Sequence, residues 1–247
     1  MTDSGEYYLR TPENVFVFYN FETNEYMHGD GLDLDLIEQN LPDPIGNILN
    51  VLLDSTDVFL DIGASNGYFY SLRLAKRFPR AQIFAFEPNP KILYHLKKNV
   101  SYNHLDNIQI MPIGLSDAAG ESPLAYELGA SSYLLPKSES GLSSIIVHTD
   151  KLDNLVSQKI VTQVNVIKVD IEGNELAFLH GAKRSLAKFA PVIIMEFKER
   201  LLRRAGVNRE EVADFLRESG YLIFSVEGSE DVVCIPKANK SAMSKIK

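Results

Sequence analysis

The stretch VFLDIGASNGYFYSLRLA, residues 58–75, contains the change of pattern that decides the fold. It begins as an apolar run typical of a buried strand, passes through a turn of small residues and continues as a helix. In the turn, Gly63 and Gly67 stand four residues apart. In α/β proteins, a turn between a parallel strand and a helix is where small ligands bind. The stretch therefore predicts a ligand-binding loop.

The spacing within this turn distinguishes between ligands. A dinucleotide fingerprint needs G-x-G-x-x-G, so that the backbone can approach a pyrophosphate. Counted from Gly63, Ser65 and Tyr68 replace the second and third glycines, and no Gly-Lys-Ser/Thr phosphate loop follows. What remains is D-x-G-x-x-x-G, from Asp61 to Gly67. This form favours a ligand that contacts the backbone closely but carries no pyrophosphate.

Strand-like and helix-like segments alternate along the rest of the chain. The predicted strands are 58–63, 81–88, 107–115, 164–171, 191–197 and a closing pair at 221–228 and 231–236. The predicted helices between them are 66–78, 89–103, 174–189 and about 208–219. Repeated βα units with strands covered on both faces predict an α/β fold with a Rossmann-like, doubly wound, mostly parallel sheet.

An N-terminal extension, residues 1–55, does not follow this alternation. We expect a hairpin in its aromatic-rich part, VFVFYNFETNEYMHGD at 15–30, then a helix from about Leu32 and another near 45–54. The extension is a candidate lid or substrate-binding cap, with packing against the sheet as the alternative. It is also where an oligomer contact is possible.

The predicted catalytic domain is 56–236, with an insertion at about 120–150 rich in turn residues. Like the extension, the insertion either covers the site or packs on the sheet. The remaining residues, 237–247, are polar and rich in lysine, and predict a disordered tail.

Composition excludes several classes of protein. The 247 residues carry a net charge of −8, which disfavours nucleic acid or an anionic membrane as partner. One cysteine, Cys234, excludes an internal disulfide and a cysteine-rich zinc site. The sequence contains neither an apolar run long enough to span a membrane nor the pattern of a signal peptide at its start. A cytoplasmic enzyme is the expectation.

Two further stretches place candidate cofactor ligands at strand ends. Glu87 ends the second strand, in FAFEPNP with Pro88 behind it, where a carboxylate can accept both hydroxyls of a ribose. In GLSDAAG, Ser116 and Asp117 lie where an adenine edge would fit. Asp117 is equally well explained by turn chemistry.

The run VNVIKVDIEGNE, residues 164–175, predicts the catalytic residues. Side chains alternate along a strand, so Lys168 and Asp170 lie on one face. A buried lysine requires a partner, and Asp170 is the nearest acidic residue on that face. At the carboxyl end of this strand, we expect Asp170 to orient a hydroxyl and accept its proton, with Lys168 and Glu196 in support. Lys168 could instead tune that carboxylate or act as the base.

A metal site is less well supported. Asp170 and Glu196, ending neighbouring strands, could bind a divalent ion or clamp a substrate, but the sequence identifies no third ligand, so no metal ligand is assigned. Glu172 belongs to the turn after the strand. Glu175 begins the next helix, where negative charge is stabilising by itself.

Together, DIGASNGYF, FEPNP, GLSDAAG, VIKVDIEGNELAFLHGA and PVIIMEF resemble the FkbM-type methyltransferases, over roughly residues 57–235. The resemblance implies S-adenosylmethionine as cofactor and a hydroxyl of a small natural product or sugar as methyl acceptor. The residues assigned to the cofactor are Asp61, Gly63, Ala64, Ser65, Asn66, Gly67, Glu87, Pro88, Ser116, Asp117 and Asp170.

Two alternatives of other classes remain open. A nicotinamide-dependent oxidoreductase uses the same kind of sheet, although the broken glycine pattern argues against it. A non-catalytic nucleotide-binding module is the second alternative, against which the Lys168–Asp170 face argues. Methylation of a nucleic-acid ribose is disfavoured by the acidity of the chain.

Overall fold

The computed structural model describes residues 6–11, 13–20, 43–126, 132–135 and 144–246. The strands are β1 Glu6–Arg10, β2 Phe16–Asn20, β3 Val58–Ile62, β4 Gln82–Phe86, β5 Ile108–Met111, β6 Gly114–Leu115, β7 Gly120–Tyr126, β8 Ser132–Leu134, β9 Ser144–Asp150, β10 Val166–Val169, β11 Val192–Glu196, β12 Tyr221–Ser225 and β13 Asp231–Pro236. The helices are α1 Pro44–Leu52, α2 Arg73–Arg77, α3 Pro90–Tyr102, α4 Leu152–Ser157, α5 Glu175–Gly181, α6 Lys183–Phe189, α7 Glu199–Arg204, α8 Arg209–Glu218 and α9 Lys240–Lys245, with a π-helical turn at Tyr68–Leu72.

The main sheet has seven strands in the order β12-β13-β11-β10-β3-β4-β5. The five strands from β11 to β5 run parallel. At one edge, β13 runs antiparallel to β11 and β12 antiparallel to β13, so β13 alone points the opposite way in this sheet. β3 is the middle one of the five parallel strands. From β3 the chain adds β4 and β5 on one side and later β10 and β11 on the other, so the strand order reverses between β3 and β10. The predicted Rossmann-like α/β fold and its closing hairpin are confirmed.

Both faces of this sheet are covered, which is why its strands read as continuous apolar runs. One face packs against α1, the π-helical turn, α2 and α3, and Leu49, Leu72 and Leu96 lie fully buried there. The other face packs against α4, α5, α6 and α8, with Phe178 and Leu216 fully buried. In the described part of the chain, no helix has both the length and the hydropathy of a membrane span.

The predicted third strand, 107–115, is in fact two strands. β5 stays in the main sheet, whereas β6 pairs with β9 in a separate four-stranded sheet of order β6-β9-β7-β8. The insertion at 120–150 therefore forms most of a small second sheet, and Pro112 lies at the break between the two strands. A proline has no N–H to continue the ladder.

The predicted helix at 66–78 begins instead as the π-helical turn and continues as α2. In the extension, β1 pairs with β2 as a hairpin over residues 6–20. Most of the hairpin predicted at 15–30 lies outside the described residues. The Phe16 backbone exchanges two hydrogen bonds with the Asn103 side chain, which ties β2 to the end of α3. The helix predicted from about Leu32 lies outside the described residues, and the helix predicted near 45–54 is confirmed as α1.

The prediction of a disordered tail over residues 237–247 is wrong for residues 237–246, the part that the structure describes. Asn239 caps α9 by accepting a hydrogen bond from the Ala242 amide at 3.0 Å. Ala242 is buried, and Met243 and Ile246 pack against the same core as α1. These three small or apolar residues share one helical face. Because the segment as a whole is polar, its composition did not indicate that face.

Candidate functional site

The loop after β3 approaches the end of β10 so closely that only glycine fits at position 63. Gly63 has φ +86°, a conformation that residues with a Cβ rarely adopt. A Cβ at this position would lie 1.8 Å from the carbonyl oxygen of Asp170. The D-x-G-x-x-x-G spacing therefore brings the backbone of the predicted cofactor loop against the predicted catalytic strand end.

The amide groups of this loop are used within the protein. The Gly63 and Ala64 amides donate to the Phe86 carbonyl at 3.1 and 2.9 Å. The Ser65 amide donates to Glu87 Oε2 at 3.0 Å. The Gly67 and Tyr68 amides also have acceptors inside the loop. Five of the six N–H groups from 63 to 68 are therefore engaged, which leaves no cradle of amides for a pyrophosphate.

Glu87 lies at the end of β4 and is buried against this loop. Its second oxygen, Oε1, accepts a hydrogen bond from the Asn89 amide at 2.8 Å. Burial raises the pKa of Glu87 to about 7, although both backbone hydrogen bonds oppose the shift. Each oxygen retains a lone pair for a further donor, so the carboxylate can accept from the two hydroxyls of a ribose.

Asp61 is also buried, near the end of β3. It lies opposite Lys168, its register partner on the neighbouring strand β10. Its Oδ2 accepts hydrogen bonds from Ser71 Oγ at 2.5 Å and from the Ser71 amide. Burial raises the pKa of Asp61 to about 6 despite these bonds. Asp61 thus holds the first turn after the loop in place and also faces the cavity described next.

A cavity of about 260 Å³ opens at the carboxyl ends of β3, β4 and β10. It lies at the point where strand order reverses, which is where open α/β sheets bind ligands. The sequence-predicted residues that line it are Asp61, Gly63, Ala64, Ser65, Glu87, Pro88 and Asp170. Seven of the eleven predicted cofactor residues are therefore brought together here.

Four predicted cofactor residues do not line the cavity. Asn66 and Gly67 stabilise the loop from behind: the Asn66 side chain accepts from the Tyr68 amide, and Gly67 packs against Leu96. Ser116 and Asp117 directly follow β6, and the lining ends before them, at Leu115. Asp117 is exposed and accepts a hydrogen bond from Ser116 Oγ, as expected for a turn residue.

The predicted Lys168–Asp170 pair is present. Lys168 is 1% exposed, and its Nζ lies 3.2 Å from Asp170 Oδ2. Nζ also lies 2.9 Å from Asp231 Oδ1 at the start of β13, a partner that the sequence analysis missed. Although burial opposes it, the charges of Asp170 and Asp231 raise the pKa of Lys168, which keeps the ammonium charged. A single buried ammonium thus contacts both Asp170 and Asp231.

Asp170, Glu172 and Glu196 form a cluster of carboxylates, hereafter the acidic cluster. One oxygen from each lies within 4.8 Å of the others. Glu196 ends β11, and its Oε1 lies 2.6 Å from Lys198 Nζ. Burial, with the negative charge of Asp170, raises the pKa of Glu196 to about 8. Asp170 and Glu172 line the cavity, whereas Glu196 lies behind them.

The small second sheet forms the outer wall of the cavity through β8. Ser132 Oγ accepts a hydrogen bond from Asn89 Nδ2 at 2.9 Å, and the Leu134 carbonyl accepts from Asn174 Nδ2 at 3.2 Å. Between them, the Tyr133 ring lies 3.5 Å below the guanidinium of Arg204. These contacts hold the insertion over the cavity, as one of the two sequence interpretations expected.

Several residues of the site carried no signal that the sequence analysis recognised. Asp231 was the first residue of a predicted strand and Glu172 a residue of a predicted turn. Tyr70, which lines the cavity with its ring centroid 5.7 Å from Lys168 Nζ, was not singled out. Glu175 is buried with Oε1 accepting from the Gly173 amide at 3.2 Å, a structural role within the turn.

The sheet order and the cavity at its switch point define a Rossmann-like α/β protein with a ligand site beside β3. The chain belongs to the methyltransferase FkbM family, whose domain matches residues 61–223. S-adenosylmethionine is the cofactor of this family, which confirms the cofactor predicted from the sequence.

Two relatives agree with this assignment, and a solved structure has the same fold. The chain is 29% identical over 176 residues to the hexuronic acid methyltransferase AglP of Haloferax volcanii, covering 70% of this chain and 68% of that protein. It is 25% identical over 185 residues to the 2-O-methyltransferase NoeI of Sinorhizobium fredii, covering 68% and 74%. The crystal structure of methyltransferase FkbM from Methylobacillus flagellatus KT superposes with a TM-score of 0.51 at 17% identity, over 74% of this chain and 45% of that one. Four curated proteins match, and the chain spans between 10% and 75% of their lengths.

Proposed function

We propose that this protein transfers the methyl group of S-adenosylmethionine to a hydroxyl of a sugar or another small natural product. The observation that carries the proposal is the position of Asp170, whose carboxylate lines the same cavity as the Gly63 loop and Glu87. A carboxylate beside the cofactor pocket is placed to receive a proton. The names of AglP and NoeI, a hexuronic acid and a 2-O-methyltransferase, support an oxygen acceptor.

Cofactor binding would use the buried side of the cavity. Glu87 would accept the ribose hydroxyls, and the Gly63–Ser65 backbone would lie against the amino-acid part of the cofactor. Apolar side chains on β4 and α3, Phe86 and Ile92, would enclose the base. When bound, the cofactor supplies an activated methyl group on a sulfonium. The residues around it need only position the acceptor and remove one proton.

Asp170 would accept a hydrogen bond from the acceptor hydroxyl and then take its proton. The carboxylate would hold the proton that the hydroxyl gives up when it is methylated. Lys168, held by Asp231 on its other side, would keep Asp170 oriented towards the cavity. β8 would exclude water and contact the acceptor, since Ser132 and Leu134 form the outer wall.

The cofactor is tested by calorimetry of the full chain with S-adenosylhomocysteine and, separately, with a nicotinamide dinucleotide. We expect binding of the first alone, because the loop amides leave no cradle for a pyrophosphate. Binding of the dinucleotide alone would replace the methyltransferase proposal by the oxidoreductase alternative.

The acceptor is tested by a screen of methyl transfer to hydroxylated small molecules, free sugars and uronic acids. With an acceptor found, we expect Asp170→Ala to abolish turnover while S-adenosylhomocysteine binds about as before. Asp117→Ala, an exposed turn residue outside the cavity, is the matched control and should retain activity. Full activity of Asp170→Ala would remove Asp170 from the proposed role.

A further inference from the structure

We infer that β12, the strand at one edge of the main sheet, is an interaction surface for a second copy of this chain. The two β12 strands would pair antiparallel about a two-fold axis at Ile223 and join two seven-stranded sheets into one. The inference goes beyond the proposed function and does not depend on it, because β13 and β11 separate β12 from the strand that leads to Asp170.

The backbone of β12 has a pairing partner on one side only. β13 pairs with it along residues 221–225, and no further strand of the described chain follows at this edge. The Lys237 amide donates to the Gly220 carbonyl at 2.9 Å, so by the alternation of an antiparallel ladder residues 220, 222 and 224 exchange hydrogen bonds with β13. The N–H and C=O groups of Tyr221, Ile223 and Ser225 therefore point away from the sheet. Such a row of groups is a template for another strand.

The side chains of β12 also present apolar surface to solvent. Leu222 and Phe224 stand two residues apart and hence on one face of the strand, and they are 38% and 40% exposed. Phe224 also lines a groove of about 470 Å³ together with Val51 of α1 and Met243 of α9. Val51 is 49% exposed. The apolar surface therefore extends from the strand edge onto the neighbouring helices.

β12 lacks the features that protect an edge strand from association. Natural edge strands are commonly protected by charged side chains, proline or short length. Residues 219–226, SGYLIFSV, contain neither a charged residue nor a proline. The strand at the opposite edge, β5, has four residues and is followed directly by Pro112. The two edges of the sheet thus differ, and β12 is the one open to pairing.

A second copy is the occupant because β12 is complementary to itself. With Ile223 opposite Ile223 of the second copy, the outward groups of residues 221, 223 and 225 meet those of residues 225, 223 and 221. The same register places Leu222 of each copy opposite Phe224 of the other, which gives two apolar cross-strand pairs. Glu227, the first charged residue after the strand, stands opposite Ser219, so no like charges meet within the pairing. The two-fold axis makes both halves of the contact identical.

The test is sedimentation velocity of the full chain between about 1 µM and 0.1 mM, a range that covers stable and weak contacts. We expect a dimer that Phe224→Lys weakens by about tenfold or more, because each of the two cross-strand pairs loses a member. Ile146→Lys is the matched control, since Ile146 is 64% exposed on β9 of the second sheet and its variant should dimerise like the parent. Because Phe224 is part-exposed, both variants should fold, which circular dichroism checks.

Disulfide trapping tests the register of the pairing. Residue 222 of one copy would lie about 4.5 Å, Cα to Cα, from residue 224 of the other, whereas residues 222 of both copies would be diagonal neighbours about 7 to 8 Å apart. Only the first distance allows a disulfide. A mixture of Leu222→Cys and Phe224→Cys chains should therefore form a linked heterodimer under mild oxidation, and neither variant should link alone. The native Cys234 is buried and does not compete.

Three results would contradict the inference. A parent chain that stays monomeric over the whole concentration range overturns it. A dimer that Phe224→Lys leaves intact also overturns it, because the contact then lies elsewhere on the chain. Linkage by either cysteine variant alone, as readily as by the mixture, contradicts the two-fold register at Ile223.

Discussion

Lys168 in β10 and Asp231 in β13 form a buried ion pair, with 2.9 Å between Nζ and Oδ1. β11 lies between these strands in the sheet, so the lysine side chain reaches past a whole strand to its partner. Burial raises the pKa of Asp231, but the charge of Lys168 and a hydrogen bond from Ser229 outweigh it and lower the pKa overall. The pair therefore joins the antiparallel edge of the sheet to β10, the strand that leads to Asp170.

We predict that Lys168→Met lowers the free energy of unfolding by about 3 to 5 kcal/mol, because it leaves two carboxylates without their buried cation. Urea unfolding followed by circular dichroism measures the change. Lys183→Met, on the exposed surface of α6, is the matched control and should change stability by less than about 0.5 kcal/mol. Equal stability of the two variants would show that the buried pair contributes nothing.

Gly63→Ala tests the close approach of the loop to β10. We predict that it loses S-adenosylhomocysteine binding in calorimetry, because its Cβ would lie 1.8 Å from the Asp170 carbonyl and push the strand ends apart. Gly206→Ala is the control: Gly206 also has positive φ, +77°, but nothing lies within 4 Å of its Cβ position. It should show only the backbone cost of about 1 to 2 kcal/mol in stability and bind the ligand normally. Intact binding by Gly63→Ala would contradict the close approach.

The stability of the ligand-free chain should depend on pH through Glu87. Its pKa is about 7 in the folded chain against 4.5 ordinarily, so between these values the folded state holds the extra proton. The stabilisation is therefore complete below about pH 4.5 and is lost as the pH rises through 7.

We predict that Glu87→Gln reduces the fall in unfolding free energy between pH 5 and 6.5 by up to about 1.4 kcal/mol per pH unit, the equivalent of one proton. Urea unfolding at several pH values measures the slope, and Glu121→Gln on the exposed surface of β7 is the matched control. A slope in Glu87→Gln as steep as in the parent would show that Glu87 holds no extra proton.

The contact between Tyr133 and Arg204 should affect the acceptor more than the cofactor. We predict that Tyr133→Leu, which removes the ring lying 3.5 Å from the guanidinium, raises the acceptor KM by roughly 2- to 30-fold, the equivalent of a cation–π contact. Steady-state kinetics with the acceptor found by the screen gives the value. Tyr133→Phe keeps the ring and should behave like the parent. A change in S-adenosylhomocysteine affinity as large as the change in KM would contradict the proposal that the cofactor binds at the buried side of the cavity and the acceptor at the β8 wall.

Local sequence patterns were sufficient for the fold. The apolar run of β3, the small-residue turn and the repeated βα units each depend on neighbouring residues, so strand and helix positions could be predicted from spacing. The failures were local as well: Pro112 splits a predicted strand, and α9 forms where a polar segment hides an apolar face. Seven of the predicted cofactor residues met in one cavity because the carboxyl ends of parallel strands share an edge of the sheet.

By itself, the sequence determined the type of sheet, the loop without a pyrophosphate cradle, the position of Glu87 and the Lys168–Asp170 pair. Each of these follows from a pattern that is complete within one strand, one turn or one repeated βα unit. Only the tertiary structure decided which distant residues complete the site. Asp231 meets Lys168 across 63 residues, and Asn174 meets Leu134 across 40. No periodicity links such residues, because strand order and the placing of the insertion bring them together rather than the spacing of the chain.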